Sequence, residues 1–225
     1  MIKFENVSKQ FPLGNKALDS VSFTVNKGEF IYLVGPSGAG KTTIIKIILK
    51  QTVPSSGEVS IGDIRLDWKD KSQTENMRRN IGVVFQDFKI LHDKNIFENV
   101  ALGLNILGEN KKNIITEVNQ ALKLVGILEK KEMFPTQLSA GELQRAAIAR
   151  AVVGNRDIIL ADEPTGNLDP TTSWEIMKIF KKLEKVKTII FATHNTDIVN
   201  SYRKRVLTLK DGKIIKDEKK GGYDL

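Results

Sequence analysis

The segment Gly35-Pro36-Ser37-Gly38-Ala39-Gly40-Lys41-Thr42-Thr43 constrains this chain more than any other. Its first eight residues fit G-x-x-x-x-G-K-[ST]. Before it, Phe30-Ile31-Tyr32-Leu33-Val34 is a short apolar run, β-branched and aromatic, as a buried strand requires. After it, Thr42 to Lys50 reads as a helix. Strand, glycine loop and helix aim backbone N–H groups and the positive end of a helix dipole at one point, where an anion is favoured. Gly35, Gly38 and Gly40 permit close backbone approach and positive φ. Lys41 is expected to reach the β- and γ-phosphates of a nucleoside triphosphate, and Thr42 to place its hydroxyl on Mg²⁺. A chance glycine turn before a helix accounts for the loop but not for the lysine and the hydroxyl.

A second buried strand is expected at Ile158-Ile159-Leu160-Ala161-Asp162, with its carboxylate at the C-terminal tip. Open α/β sheets bind ligands at that edge, so Asp162 can hold Mg²⁺ directly or through water. Glu163 would then face the attacking water as general base or water-orienting group. The plain alternative is a strand ending in a charged turn. His194 follows the strand-like Thr188-Ile189-Ile190-Phe191-Ala192-Thr193, which puts it at the same sheet edge as Lys41 and Asp162. There a neutral imidazole could bond the γ-phosphate, although a lone histidine after a strand is more often a surface or cap residue. His92 has no such context and receives no role.

Leu138-Ser139-Ala140-Gly141-Glu142-Leu143-Gln144-Arg145 lies just upstream of that second strand. Ser139 and the N–H groups of Ala140 and Gly141 open a helix and so offer a second anion site. With this segment in place, the chain resembles the nucleotide-binding domain of ABC ATPases over nearly its whole length. Ser139-Ala140-Gly141-Glu142 resembles the family signature, with Ala140 where a second glycine is usual and Glu142 where glutamine is common. Gln86 resembles the Q-loop glutamine, which implies contact with Mg²⁺ and the attacking water. Asn167-Leu168-Asp169 resembles the D-loop, His194 the switch histidine, and Phe11 the aromatic residue that stacks on adenine. The resemblance implies a P-loop NTPase of α/β class: a RecA-like core, an antiparallel β lobe and a helical signature lobe. It also implies ATP and Mg²⁺ as ligands. In that family the signature of one subunit closes over the γ-phosphate held by another, so an ATP-dependent head-to-tail homodimer is expected.

The chain has 225 residues, 40% of them hydrophobic, and reads as one nucleotide-binding domain over 1–225. A helix-rich lobe is expected at about 87–153. Met1 to about Ile31 and Gly57 to Leu66 alternate in strand fashion and should make an antiparallel lobe. Val206 to Ile215 reads as strand, Asp-Gly turn and strand. Asp67 to Arg79 reads as a surface connection and Lys216 to Leu225 as a loose tail. There is no cysteine, which suits a reducing compartment. Neither a signal peptide nor a membrane span is read; the apolar run Ile44 to Leu49 is too short and carries Lys46. Any passage across a membrane would belong to another chain. The net charge of +8 raises the question of nucleic acid, but the lysines are dispersed and no basic stretch is interleaved with aromatics. A solvated surface, or one facing anionic lipid, is expected instead of direct nucleic-acid contact.

Within the wider family, three stretches resemble the bacterial cell-division ATP-binding proteins of the FtsE group. They are Met1 to Lys9, Phe134 to Ser139, and Leu160 to Asp169. That resemblance implies an integral membrane partner of the FtsX kind, a peripheral place on the cytoplasmic face of the cell membrane, and control of cell-wall hydrolysis. Motors of lipoprotein-release and macrolide-efflux transporters share Ala161 to Asp169 and form the alternative. A soluble ABC ATPase acting on nucleic acid or ribosomes is the third. The membrane partner is expected to dock around Gln86 to Asn99, where Phe88, Ile90, Leu91, Ile96 and Phe97 offer apolar surface or else core packing.

Overall fold

Apolar residues alternate along the first two strands, β1 (Ile2–Gln10) and β2 (Lys16–Val25), and that pattern fixes their pairing. Ile2, Phe4 and Val7 turn inward opposite Val25, Phe23 and Val21, and the Phe4 and Phe23 rings stack at 4.7 Å. The computed structural model describes residues 2–12 and 14–223, which divide into two compact units, 1–79 with 187–225 and 80–186. Strands are numbered along the chain. In the first unit, β4 (Ser56–Ile61) and β5 (Ile64–Arg65) extend the antiparallel sheet in the order β2-β1-β4-β5.

The same unit holds the first parallel strands. β3 (Phe30–Val34) is buried at every residue and lies between β8 (Thr188–Ala192) and β9 (Arg205–Lys210), parallel to both. Burial on both faces explains a run with no polar alternation. β10 (Lys213–Glu218) closes the edge antiparallel to β9. Asp211 at φ 49° and Gly212 at φ 75° make the two-residue turn expected of an Asp-Gly hairpin. Helix α1 (Lys41–Ile48) buries Ile44, Ile45, Ile47 and Ile48.

Two expectations change here. The segment from Asp67 carries a helix, α2 (Lys71–Arg79), with no buried residue. Without an apolar stripe it has no periodic signal. It is fixed by polar bonds: Asp70 accepts from the Gln73 N–H, and Lys50 Nζ donates to the Asp70 carbonyl at 2.8 Å. The C-terminal segment is not loose through the described residues either. β10 runs to Glu218, and Asn200, in α7 (Thr196–Ser201), exchanges two hydrogen bonds with the backbone of buried Tyr223.

In the second unit, β6 (Ile81–Phe85) and β7 (Ile158–Asp162) pair in parallel, from Ile81 opposite Ile158 to Phe85 opposite Asp162. Its helices are α3 (Ile96–Ile106), α4 (Lys111–Val125), α5 (Ala140–Val152) and α6 (Pro170–Leu183). Each begins at a polar N-cap: Asn95, Asn110, Ser139 and Asp169. Helix α5 buries four alanines, and it lies so close to β6 that a Cβ at Gly82 would stand 1.9 Å from the Ala151 carbonyl oxygen. Among the residues expected to face a partner, Ile96 is fully buried and belongs to the core. Leu91 is exposed, while Phe88, Ile90 and Phe97 are half-buried.

Candidate functional site

The glycine loop is pressed onto its own unit. A Cβ at Gly35 would stand 2.2 Å from the Leu209 carbonyl oxygen, and one at Gly40 2.6 Å from that of Ala17. With φ at 147° and 109°, both positions exclude other residues by space as well as by backbone. Gly40 is the N-cap of α1 and supplies no side-chain bond, so the first-turn N–H groups have no side-chain cap and suit an anion. The Lys41 ammonium is buried, donating to the carbonyls of Gly35 at 2.7 Å and Pro36 at 3.1 Å. It is thereby held over the mouth of the loop. Pro36, Ser37, Gly38 and Thr42 are exposed, whereas Ala39 is packed beneath them and Thr43 is half-buried.

The parallel register brings His194 to this loop's edge. Leu33 lies opposite Ala192, and the Thr193 N–H donates to the Leu33 carbonyl at 3.0 Å. Gly35 and His194 each lie two residues beyond that pair. The Thr193 hydroxyl accepts from the Asn195 N–H, and Asn195 caps α7, so His194 is set on a fixed turn and exposed. Phe11 follows β1, exposed, with Lys9 Nζ 5.1 Å from its ring centroid.

In the second unit the register of Phe85 opposite Asp162 puts Gln86 beside Glu163. Gln86 is gripped by Asn167: its Nε2 donates to Asn167 Oδ1 at 3.0 Å, and Asn167 Nδ2 donates to the Gln86 carbonyl at 3.2 Å. Glu163 has φ 49°, a left-handed conformation costing about 1–2 kcal/mol in a residue with a Cβ. Strain of this kind persists where surrounding structure over-determines it. Here the Glu163 carbonyl accepts from the Gly166 N–H at 3.0 Å, and the next carbonyl, of Pro164, accepts from buried Gln144 Nε2 at 2.6 Å. In the second unit Asp162 and Gln86 offer a carboxylate and an amide oxygen, and the Asn167 contact occupies the Gln86 nitrogen rather than that oxygen. In the first unit Thr42 offers an exposed hydroxyl. Hard oxygen donors of these kinds are those Mg²⁺ takes.

The signature opens α5 as expected and is closed on itself. Ser139 caps the helix, and Glu142 accepts from the Ser139 N–H at 2.8 Å and from its hydroxyl at 3.0 Å. The Ser139 N–H first, then the Ser139 hydroxyl and Lys130, hold the Glu142 carboxyl below its usual range. Ala140 is exposed, so its methyl meets no packing. Gly141 is where space is short: a Cβ there would stand 2.6 Å from Thr172 Cγ2. Thr172 is fixed by Asp169, whose carboxylate accepts from both the Thr172 hydroxyl and its N–H, and these bonds lower the Asp169 pKa. Thr172 thus joins Gly141 and Asp169, two expected site residues far apart in sequence.

Two supporting residues carry little sequence signal of their roles: Asn167 lies in a loop pattern and Gln144 in a helix pattern. A glutamine among alanines is the signal for the second.

Comparison with known proteins gives these arrangements a family. The ABC transporter family model matches residues 18–166. The cell division ATP-binding protein FtsE of Bacillus subtilis is 47% identical over 224 residues, covering 99% of this chain and 98% of that protein. The FtsE protein of Escherichia coli K12 is 42% identical over 213 residues, covering 94% of this chain and 96% of that one. Among solved structures, a dimeric bacterial ABC transporter cassette superposes with a TM-score of 0.89 at 36% identity, over 99% of this chain and all of its own. A post-hydrolysis dimer of that cassette, bound to ADP and phosphate, gives the same values. The α/β architecture is therefore the P-loop ABC ATPase fold, and the chain belongs to the ABC ATPase family, in its FtsE group of cell-division ATP-binding proteins.

Proposed function

We propose that the chain is the ATP-hydrolysing subunit of a membrane complex in cell division, driving an FtsX-like integral membrane protein by closure of a dimer on ATP. The observation that carries this reading is similarity to FtsE proteins along the whole chain, at 40–47% identity in four curated relatives from different bacteria, together with the family's dimeric cassettes. Among the described residues no helix is long and apolar enough to cross a membrane, so the partner supplies any crossing. We place the chain peripherally on the cytoplasmic face beside that partner, a reading its similarity to FtsE proteins supports.

The chemistry assigned to each residue is that of phosphoryl transfer to water. Lys41 leaves the Gly35 and Pro36 carbonyls for the β- and γ-phosphates, which the N–H groups from Pro36 to Thr43 surround (Pro36 itself contributing none). Phe11 packs against the adenine. Glu163 accepts a proton from, or orients, the attacking water, and Gln86 positions that water while held by Asn167. His194 bonds the γ-phosphate and registers its departure. Ser139, Ala140, Gly141, Glu142 and Asp169 meet the nucleotide of the opposing copy. Thr42, Asp162 and Gln86 would hold Mg²⁺, which would supply positive charge to offset that of the phosphates.

We place the partner around Gln86 to Asn99, where Leu91 is exposed, and on the adjoining groove of about 340 Å³ bordered by Phe85, Leu102 and Ile106 in the second unit. Leu102 and Ile106 are exposed there, at 36% and 77%, and suit the apolar face of a short helix. The test is capture from native membranes with the Glu163→Gln variant and ATP, followed by mass spectrometry. An FtsX-like protein supports the proposal, a lipoprotein-release or efflux permease replaces it with transport, and ribosomes or DNA without a membrane protein overturn both.

A further inference from the structure

Two consecutive residues just beyond Gln86 have left-handed backbone: Phe88 at φ 58° and Lys89 at φ 51°. Neither is glycine. The Lys89 N–H turns back to the Asp87 carbonyl at 2.6 Å, a γ-turn with positive central φ, which is rare and strained. Both strained residues present their carbonyls to one side chain. Arg150, on α5, donates from Nη1 to the Lys89 carbonyl at 2.6 Å and from Nη2 to the Phe88 carbonyl at 2.8 Å.

Arg150 spends its charge on this task alone. Burial pushes the guanidinium pKa down, and no charge partner among the described residues offsets it. A largely desolvated cation bonded only to two backbone carbonyls is a poor device for general stability. Its five-donor fork is, however, suited to holding two adjacent carbonyls in a fixed relation. Asn167 fixes Gln86 itself on the other side, by its side chain and its carbonyl.

We infer that Arg150 is a positioning residue for Gln86: it holds the chain after Gln86 in a strained turn, so that this exit from Gln86 moves with α5. The inference rests on the reading of Gln86 as a residue that positions water. It makes α5 one rigid lever. The helix carries the signature at its N-terminus, contacts the turn after Glu163 through Gln144, and fixes the exit from Gln86 through Arg150. Displacement of the signature by a second copy is then carried to both Gln86 and Glu163 in the same subunit.

The experiment uses the full chain with Mg²⁺ and ATP and compares Arg150→Met, Arg150→Lys and Arg150→Met with Lys89→Gly. Glycine occupies the left-handed region freely, so it relieves strain at one of the two residues without Arg150. The Lys89 side chain it removes is exposed and, among the described residues, pairs with exposed Asp87. Arg150→Met is expected to lower kcat by about tenfold or more with KM for ATP little changed, and to speed amide exchange across residues 87–91. Lysine offers one point charge in place of the fork and should recover only part. Adding Lys89→Gly to Arg150→Met should restore most of kcat and of the exchange protection. A merely structural arginine would lower the melting temperature, and Lys89→Gly would not rescue it. Should Arg150→Met fail to fold, Arg150→Lys alone with amide exchange decides. Unchanged protection of 87–91, or no rescue by glycine, overturns the inference. Gln86→Ala separates the two readings: if it leaves kcat intact, the role of Gln86 is wrong and the lever with it. If it lowers kcat while Arg150→Met does not, only the lever fails.

Discussion

Ser139 and Glu142 close on each other at the head of α5, the carboxylate accepting both the N–H and the hydroxyl of the serine. The helix end that we propose meets a second nucleotide therefore already faces a negative charge of its own. Lys130, 3.4 Å from that carboxylate, offsets part of it.

Glu142→Gln should tighten ATP-dependent dimerisation by about two- to fivefold, because glutamine serves at the same capping position without repelling a γ-phosphate. Sedimentation of both proteins in a non-hydrolysing background measures it. Weaker dimerisation would make Glu142 a necessary contact.

The same pair predicts a pH dependence of stability. Because the folded carboxyl titrates below its unfolded value, the cap's charge-dependent contribution is complete above the ordinary carboxyl range and disappears as pH falls through the lowered value. The stability advantage of the native protein over Glu142→Gln should stay below about 1 kcal/mol near neutrality, given the exposure of the group, and should vanish at an acid pH below the lowered titration range. Denaturant unfolding at both pH values checks this.

Lys41→Met should lower affinity for a fluorescent ATP analogue by at least about tenfold. The fold should survive, since methionine fills the buried stem and the Gly35 and Pro36 carbonyls lose only a shared donor. Binding within a factor of two of the native protein would remove Lys41 from the phosphate site.

Glycine substitutions should rank by available space. Gly35→Ala, which drives a methyl into the Leu209 backbone, should destabilise by about 3 kcal/mol or more. Gly141→Ala should cost about 1–2 kcal/mol, since Thr172 is pinned by Asp169 and cannot turn aside freely. Ala140→Gly should change stability by no more than about 1 kcal/mol, at an exposed first-turn position. Thermal unfolding of the three orders them.

The parts legible in the sequence are those where local pattern and tertiary role coincide. Phe30 to Val34, Ile158 to Asp162 and Thr188 to Ala192 are continuous apolar runs because they are buried strands, and the residues that follow them inherit the sheet edge. Asp211-Gly212 announces its turn by needing positive φ twice. The helix at Lys71–Arg79 was hidden because it buries nothing, and the order at Tyr223 because it depends on Asn200, distant in sequence. Arg150 and Gln144 were hidden for a related reason. Each acts on a backbone carbonyl, and a carbonyl's identity leaves no mark on composition or spacing. Conversely, Ile96 stays open in the sequence between docking surface and core, because an isolated apolar residue near a loop carries no sign of which way it faces; it is core.

The most direct measurement is the mass in solution of Glu163→Gln with and without Mg²⁺ and ATP, with phosphate release followed on the same samples. A dimer that forms only with ATP, while turnover falls by at least about a hundredfold from that of the native protein, is the predicted result. A variant that stays monomeric with bound ATP, or hydrolyses it at the native rate, contradicts the account.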